Sequence, residues 1–316
     1  MQPVPFEQFM ARALHHPEHG YYARRIAGVG RHGDFTTAPM LSDTPARAIA
    51  AWAAKALKET GCRDLIEVGP GEGKLAAGVL RHLPWHLRWR IRLHLVETSA
   101  PLAAKQRELL GKRARHHTRI QDALATCRGN AVIYSNELVD AFPVRRFQKT
   151  PEGWQESAVE FDEKKRGRET LLPPAPLPPS SGFLDSHRKG QWIEVHDSYR
   201  RYLEEWLPLW KSGRMLTIDY GAATEDLYHR KPRGTLRAYL LQHRLEGPAI
   251  YDNPGRQDLT ADVNFTDLMD WSRPWTSAQS LTTFGGFLQR HVPHADPALT
   301  DPEGAGGAFL VLEQRR

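Results

Sequence analysis

DLIEVGPGEGKL, residues 64–75, is the stretch on which the fold turns. A short apolar run enters a loop with glycines at 69, 71 and 73, then leaves into KLAAGVLRHL, where apolar residues recur at helical spacing. Strand, glycine loop and helix in that order open many nucleotide-type sites. Two phosphate-binding versions fail here. A dinucleotide fingerprint needs its third glycine at position 74, where Lys74 stands. A P-loop needs Gly-Lys-Ser/Thr after four intervening residues, whereas Gly73-Lys74 comes too early and is followed by Leu75. Glu67, two positions before the loop, would also repel a pyrophosphate. It suits S-adenosylmethionine, which has no phosphate but carries an ammonium and a sulfonium. Glu67 can stabilise that positive charge, while Gly69, Pro70, Gly71 and Gly73 let the backbone approach the ligand.

The pattern around this stretch is regular. IRLHLVE (91–97) reads as a strand before the helical APLAAKQRELL, and AVIYS (131–135) as a strand before NELVDAFP. Strands alternating with helices predict right-handed crossovers and a largely parallel sheet, with ligands beyond the carboxyl ends of its strands. Glu97, ending the second strand, is placed to accept hydrogen bonds from ribose hydroxyls, and Thr98 and Ser99 follow it. Asp122 in RIQDAL can accept an adenine amino group with Ala123 offering its N–H, or serve as a helix cap. Asn136 and Glu137 lie just after the third strand, at the mouth of the expected site, or form an acidic helix start.

Farther out, residues 1–60 read as an N-terminal extension: a helix in PVPFEQFMARAL, a glycine-rich stretch, then an alanine-rich helix over 45–60 stopped by Gly61. VRRFQK and WQESAVEF read as short strands of a hairpin, and LLPPAPLPPSSG (171–182), with five prolines, as a loop. These assign 145–190 to an insertion, and 61–144 with 191–316 to the core, QWIEV and RMLTIDYG marking the return. Tyr21 and Tyr22 read equally as packing residues or as part of a cover over the site.

Composition narrows the classes. No apolar run approaches the roughly 20 residues of a membrane span, and the start lacks a basic leader with an apolar core, so a cytoplasmic location is expected. Two cysteines, Cys62 and Cys127, exclude a disulfide scaffold and read as packed thiols. The net charge of +6 comes from scattered residues, densest in RWRIR (88–92) and KRARHH (112–117). It reads as a solvated basic surface, and nucleic acid is not the expected partner. His15-x-x-Glu18-His19 matches an inverted zinc-peptidase motif, but Pro17 and Gly20 oppose the continuous helix that motif needs, so no metal is expected.

Taken together, PFEQFMARALHHPEHGYYARR, GVGRHGDFTTAP, LIEVGPGEGKLAAGVLR, HLVETSAPLAAKQ, YSNELVDAFPVRRF, LTIDYG, GTLRAYLLQHR and GRQDLTADVNFTDL resemble, in order, the MidA-like methyltransferases. That family includes a mitochondrial complex I assembly factor with protein arginine methyltransferase activity. The resemblance implies an α/β, class I methyltransferase (Rossmann-like) sheet with flanking helices, an N-terminal extension and a smaller accessory region. It implies S-adenosylmethionine as cofactor and S-adenosylhomocysteine as product. It also implies that Gly33, Asp34, Thr36 and Thr37 of GDFTT fold over the cofactor, and that Asn136 and Glu137 face the transfer site. A protein substrate modified on arginine follows by analogy, a respiratory-complex subunit among the candidates, and a homodimer stays open. A guanidinium stays protonated near pH 7 and needs carboxylates to hold and polarise it. Glu137 and Asp140 are the candidates, with Asp219 of IDYG a third, either catalytic or structural. Lys74, and DTPARA in place of a Phe-Gly pair after APMLS, depart from the family pattern. RNA or small-molecule methylation, and a non-catalytic assembly protein that keeps the cofactor fold, are the competing readings.

Overall fold

The computed structural model describes residues 2–24, 42–163, 166–240, 243–245 and 247–316. At its centre stand β2 (Asp64–Val68), β3 (Arg92–Val96), β4 (Ala114–His117), β5 (Val132–Asn136) and β10 (Arg214–Ala222). These five are parallel, in the order β4-β3-β2-β5-β10. β16 (Phe309–Arg315) runs antiparallel beside β10, and β15 (Ala278–Thr283) antiparallel beside β16, while the two-residue β14 (Val263–Asn264) pairs parallel with the end of β10. From β2 the chain builds outward through β3 and β4, then resumes on the other side of β2 with β5. The carboxyl ends therefore part at the β2/β5 boundary, the switch point at which open α/β sheets bind ligands.

Both faces of the sheet are covered. Helices Thr44–Thr60, Lys74–His82 and Phe284–His291 bury one face around Trp52, Ile49 and Phe287, and Ile120–Thr126, Asp197–Trp206 and Phe265–Ser272 bury the other around Trp206, Trp210 and Phe265. The expected stop at Gly61 is present, in a left-handed conformation (φ 69°) that L side chains disfavour. DTPARA builds the start of the long helix. Asp43 bonds Arg81 and His82, while Ala46 sits where a Cβ on Gly78 would lie only 2.7 Å away, so two small residues set that helix contact.

The remaining strands form two smaller antiparallel sheets. One holds β1 (Val4–Pro5), β6 (Arg145–Thr150), β7 (Gly153–Phe161), β8 (Gly167–Leu171) and β9 (Trp192–Val195), with β6 and β7 in the expected hairpin. The other holds β11 (Arg237–Leu240), β12 (His243–Leu245) and β13 (Asp258–Thr260). The return to the core expected at residue 191 is therefore corrected. Trp192–Val195 pairs antiparallel with β6 and extends the accessory sheet, and the core resumes only at β10. An apolar run such as WIEV fits either sheet, and its partner is fixed by Glu194, whose carboxylate takes Arg146 of β6 at 3.0 Å and the Thr235 N–H at 2.8 Å. The N-terminal helix Phe6–His15 packs its Phe6, Phe9 and Met10 face against these sheets. It ends at His15, so His15 and His19 share no helix face, in keeping with setting the zinc motif aside. Cys62 and Cys127 are buried free thiols.

Candidate functional site

A cavity of about 880 Å³ opens above the β2/β5 boundary, a volume within the usual range for small-molecule sites. Its floor is the glycine loop. Gly69 and Gly71 both adopt positive φ (70° and 55°), and Gly69 N–H donates to Val96 O at 3.0 Å, tying the loop to the end of β3. Glu67, Gly69, Pro70, Gly71, Glu97, Thr98, Ser99, Asn136 and Glu137 all line the cavity, so the sequence brings these candidates together. Gly73 does not line it. Gly73 supplies the left-handed turn (φ 81°) that starts helix Lys74–His82, and a Cβ there would press on Gln106 at 3.2 Å.

Two carboxyls face the cavity from neighbouring strands. Glu67 is 2% exposed and accepts a hydrogen bond from Tyr134 Oη at 2.8 Å. Burial pushes its pKa up to about 8, against the pull of that bond and with a smaller push from the charge of Glu97. Glu97 accepts from Ser99 N at 2.8 Å, and burial raises its pKa to about 7 while the backbone N–H groups of Ser99 and Thr98 oppose the rise. Gln106, wholly buried, donates from Nε2 to Gly71 O at 2.6 Å and, more loosely at 3.5 Å, to Glu97. It joins the loop to the second carboxyl. Lys74, the departure within the loop, engages Glu72, as does Lys105, which sets the cationic ends against a partner on the rim.

The far wall comes from the segment after β5. Glu137 adopts φ 51°, a left-handed conformation uncommon outside glycine and costly for a long side chain. Neighbouring bonds hold it there: its N–H donates to Ile218 O at 2.9 Å, and Asn136 Nδ2 donates to its carboxylate at 2.9 Å. Burial first, and the charge of Asp140 second, push the Glu137 carboxyl up to about 8.

Several candidates fall elsewhere. Asp219 is fully buried and outside the cavity lining. Its Oδ2 accepts from the backbone N–H of Val139 at 2.7 Å and of Leu138 at 3.1 Å, so it is a structural anchor for the turn carrying Glu137. Asp140 is buried behind the wall, its carboxyl raised by burial and by the neighbouring charges of Asp219 and Asp258, and it too does not line the cavity. Asp122 is exposed in the first turn of helix Ile120–Thr126, and Ala123 is in the core. The neighbouring residues Arg119, Ile120 and Gln121 line the cavity there. Helical phase explains the one-residue miss, because successive side chains point about 100° apart. Gly33, Asp34, Thr36 and Thr37 lie outside the described residues.

Of the further lining residues His15, Tyr22, Phe142 and Tyr202, only Tyr22, read as packing or as part of a cover, is singled out in the sequence; the other three are not singled out there as lining residues. His15 and Tyr22 reach the cavity from the N-terminal helices, their rings stacked at 5.4 Å, and Tyr22 donates to Asp258 at 3.1 Å. Phe142 and Tyr202 line another side, 5.3 Å apart. Tyr202 arrives from a helix 60 residues beyond Phe142, and nothing local in the sequence announces that meeting.

Five parallel strands continued by an antiparallel β16, with a glycine loop and paired strand-end acids at the switch point, define the class I methyltransferase fold. The residues fit S-adenosylmethionine on their own chemistry. Two acid side chains raised by burial await a cation or hydroxyl donors, and a loop without Cβ atoms at 69 and 71 allows close approach. The chain belongs to the family described as "Putative S-adenosyl-L-methionine-dependent methyltransferase", whose profile matches residues 48–283. It is 27% identical over 294 residues to the rat mitochondrial protein arginine methyltransferase NDUFAF7, covering 84% of this chain and 65% of the relative. The human counterpart is 28% identical over 293 residues, again 84% of this chain and 65% of the relative. The chain thus spans about two thirds of the length of these relatives. Among solved structures, a COG1565 superfamily protein from Burkholderia thailandensis, bound to S-adenosylhomocysteine, is 27% identical with a TM-score of 0.86, covering 99% of this chain and 88% of that one.

Proposed function

We propose that this chain binds S-adenosylmethionine in the cavity over β2 and β5 and transfers its methyl group to an arginine side chain of a protein. The observation that carries the first half is the pair of cavity-facing carboxyls, Glu67 and Glu97, flanking the left-handed glycine turn. Glu67 would stabilise the methionine-end ammonium and Glu97 the ribose hydroxyls, while Ile120 and Gln121 bound the region expected for the adenine. When bound, S-adenosylmethionine supplies an electrophilic methyl on a sulfonium. The protein's part is alignment and charge. Asn136 and Glu137 stand at the wall where a nucleophile would enter. Glu137 can hold a guanidinium, localise its electrons on one terminal nitrogen and take up the proton released after transfer. Burial pushes this carboxyl up to about 8 and leaves it largely protonated near neutral pH, until a guanidinium beside it favours the ionised form, which can then accept the proton released on transfer. Asp140 acts behind it, through its charge on Glu137. The arginine specificity is supported by the rat and human relatives, which are named as protein arginine methyltransferases.

Calorimetric titration with S-adenosylmethionine and S-adenosylhomocysteine, with NADH and ATP as controls, tests the cofactor. Saturable binding of the first two, weakened at least tenfold in Glu97→Ala, supports it. A folded protein that binds neither removes the methyltransferase reading. Methyl transfer is followed separately, with labelled S-adenosylmethionine in cell extract and hydrolysis of the labelled protein to methylarginine.

A further inference from the structure

The sheet has a second end, and its surface differs sharply from the rest. Five large apolar side chains stand exposed among the described residues: Trp85 (72%), Trp89 (81%), Leu109 (51%), Leu177 (42%) and Leu209 (45%). Leu177 lies in the proline-rich loop. The other four lie in the segments that enter the amino ends of the core strands: Trp85 and Trp89 before β3, Leu109 before β4 and Leu209 before β10. The strand registers bring these segments to one edge, because Asp64 stands beside Arg92, Leu93 beside Ala114, and Leu65 beside Val132. That edge is opposite the cavity, which is built from the carboxyl ends of the same strands.

The same entry segments are basic. Arg63, Arg90, Lys112, Arg113, Arg128 and Lys211 are all exposed along this edge. Acids there are mostly engaged: Asp64 is buried against Arg92 and His94, and Glu59 pairs with Arg214 and Lys55, leaving Glu108 as an exposed acid. Trp85 and Trp89 share a face. The helical turn Trp85–Arg88 continues through Trp89 (φ −85°, ψ −17°), and residues four apart on a helix are neighbours. A tryptophan fully wet at three quarters of its surface is unusual, and two together with leucines at separate loop tips form a dispersed apolar crest within a cationic field.

We propose that this edge docks on an anionic lipid bilayer, with Trp85, Trp89, Leu109 and Leu209 entering the headgroup region and the surrounding lysines and arginines meeting lipid phosphates. Indole rings favour the membrane–water interface, and basic residues near an anionic leaflet each contribute attraction. A nucleic-acid strand fits less well, because Leu109 and Leu209 give bases nothing to stack on. Docking at this pole turns the cavity mouth away from the bilayer, so the protein would be held at the membrane with its site open to a substrate outside it.

The test is sedimentation of the full chain with vesicles of phosphatidylcholine alone and of phosphatidylcholine mixed with phosphatidylglycerol. Binding to the mixed vesicles, weakened by salt, is expected. Trp85→Ala/Trp89→Ala reduces it at least about tenfold, through the apolar area withdrawn from the lipid. Arg90→Gln/Lys112→Gln reduces it about 25-fold, at about fivefold per basic residue. All four positions are far from the cavity, so binding of S-adenosylhomocysteine stays unchanged and reports that the variants are folded. No binding to mixed vesicles, equal binding to neutral ones, or no loss in the tryptophan pair overturns the proposal. So does a single-stranded RNA that binds where vesicles do not, or a dimer in sedimentation velocity that the tryptophan pair abolishes.

Discussion

Proton release on cofactor binding is the sharpest consequence of the two cavity carboxyls. Burial lifts Glu67 to about 8 and Glu97 to about 7, so at pH 6 both are mostly protonated in the ligand-free protein. A cationic ammonium beside Glu67 favours its ionised form, and the proton must leave as the ligand arrives. If the bound carboxylate returns to an ordinary pKa, the affinity for S-adenosylhomocysteine rises about fiftyfold between pH 6 and pH 8 from Glu67 alone. If Glu97 ionises too, a further factor of about ten follows. Calorimetry in buffers of different ionisation enthalpy counts the protons released, and Glu67→Gln should remove one of them and flatten the profile. The stability of the free protein carries the opposite sign. A carboxyl raised above its unfolded value of about 4.5 contributes fully below that pH, and its contribution is lost as pH rises towards 8. The melting temperature of the free protein therefore falls over this window, and the shift produced by ligand grows. An affinity that is flat from pH 6 to pH 8, with no proton released, would refute the reasoning.

Other outcomes follow from single residues. Glu137→Gln should lower methyl transfer to labelled protein about a hundredfold or more while S-adenosylhomocysteine binds within twofold of the parent; equal turnover removes its assigned role. Glu137→Gly should be as inactive yet at least as stable to heat, because glycine relieves the left-handed strain at φ 51°, of about 1–2 kcal/mol. Asp219→Ala leaves backbone N–H groups of Leu138 and Val139 without their acceptor and should cost about 2–4 kcal/mol in urea unfolding, with activity lost through the displaced turn. Gly69→Ala should weaken cofactor binding at least tenfold, since its φ is 70° and the new Cβ would lie 2.6 Å from Leu138 Cδ1; unchanged affinity would show that the loop tolerates the side chain.

The parts of the fold legible in the sequence are those with a local period. The strands at 64–68, 92–96 and 132–136 and the helices after the first two could be read because the strands are buried almost throughout and each carries a short cluster of Leu, Ile and Val between polar ends or interruptions. Glu67 and Glu97 were legible for the converse reason, as charged residues interrupting apolar strand ends. Asp219 sits in the same kind of position, yet it faces inward to backbone N–H groups, and only three-dimensional register separates the cases. The same limit placed WIEV in the wrong sheet. Tyr134 and Gln106, which hold Glu67 and the glycine loop, carry no local signal of those roles, because hydrogen bonds between residues 67 and 35 apart leave no mark in either neighbourhood.

The bonds from Asp219 to the turn after β5 bear on how the protein is made. The cavity floor is complete within residues 64–99, but the wall bearing Glu137 is fastened by a strand some 80 residues later, itself edged by β16 at the end of the chain. Such distant contacts form late. During synthesis the cofactor loop can emerge and pair long before β10 leaves the ribosome, so a nascent chain would carry the ligand-binding half without the positioned acid. The proposed methyl transfer thus becomes available only once the sheet is closed on both sides of β5.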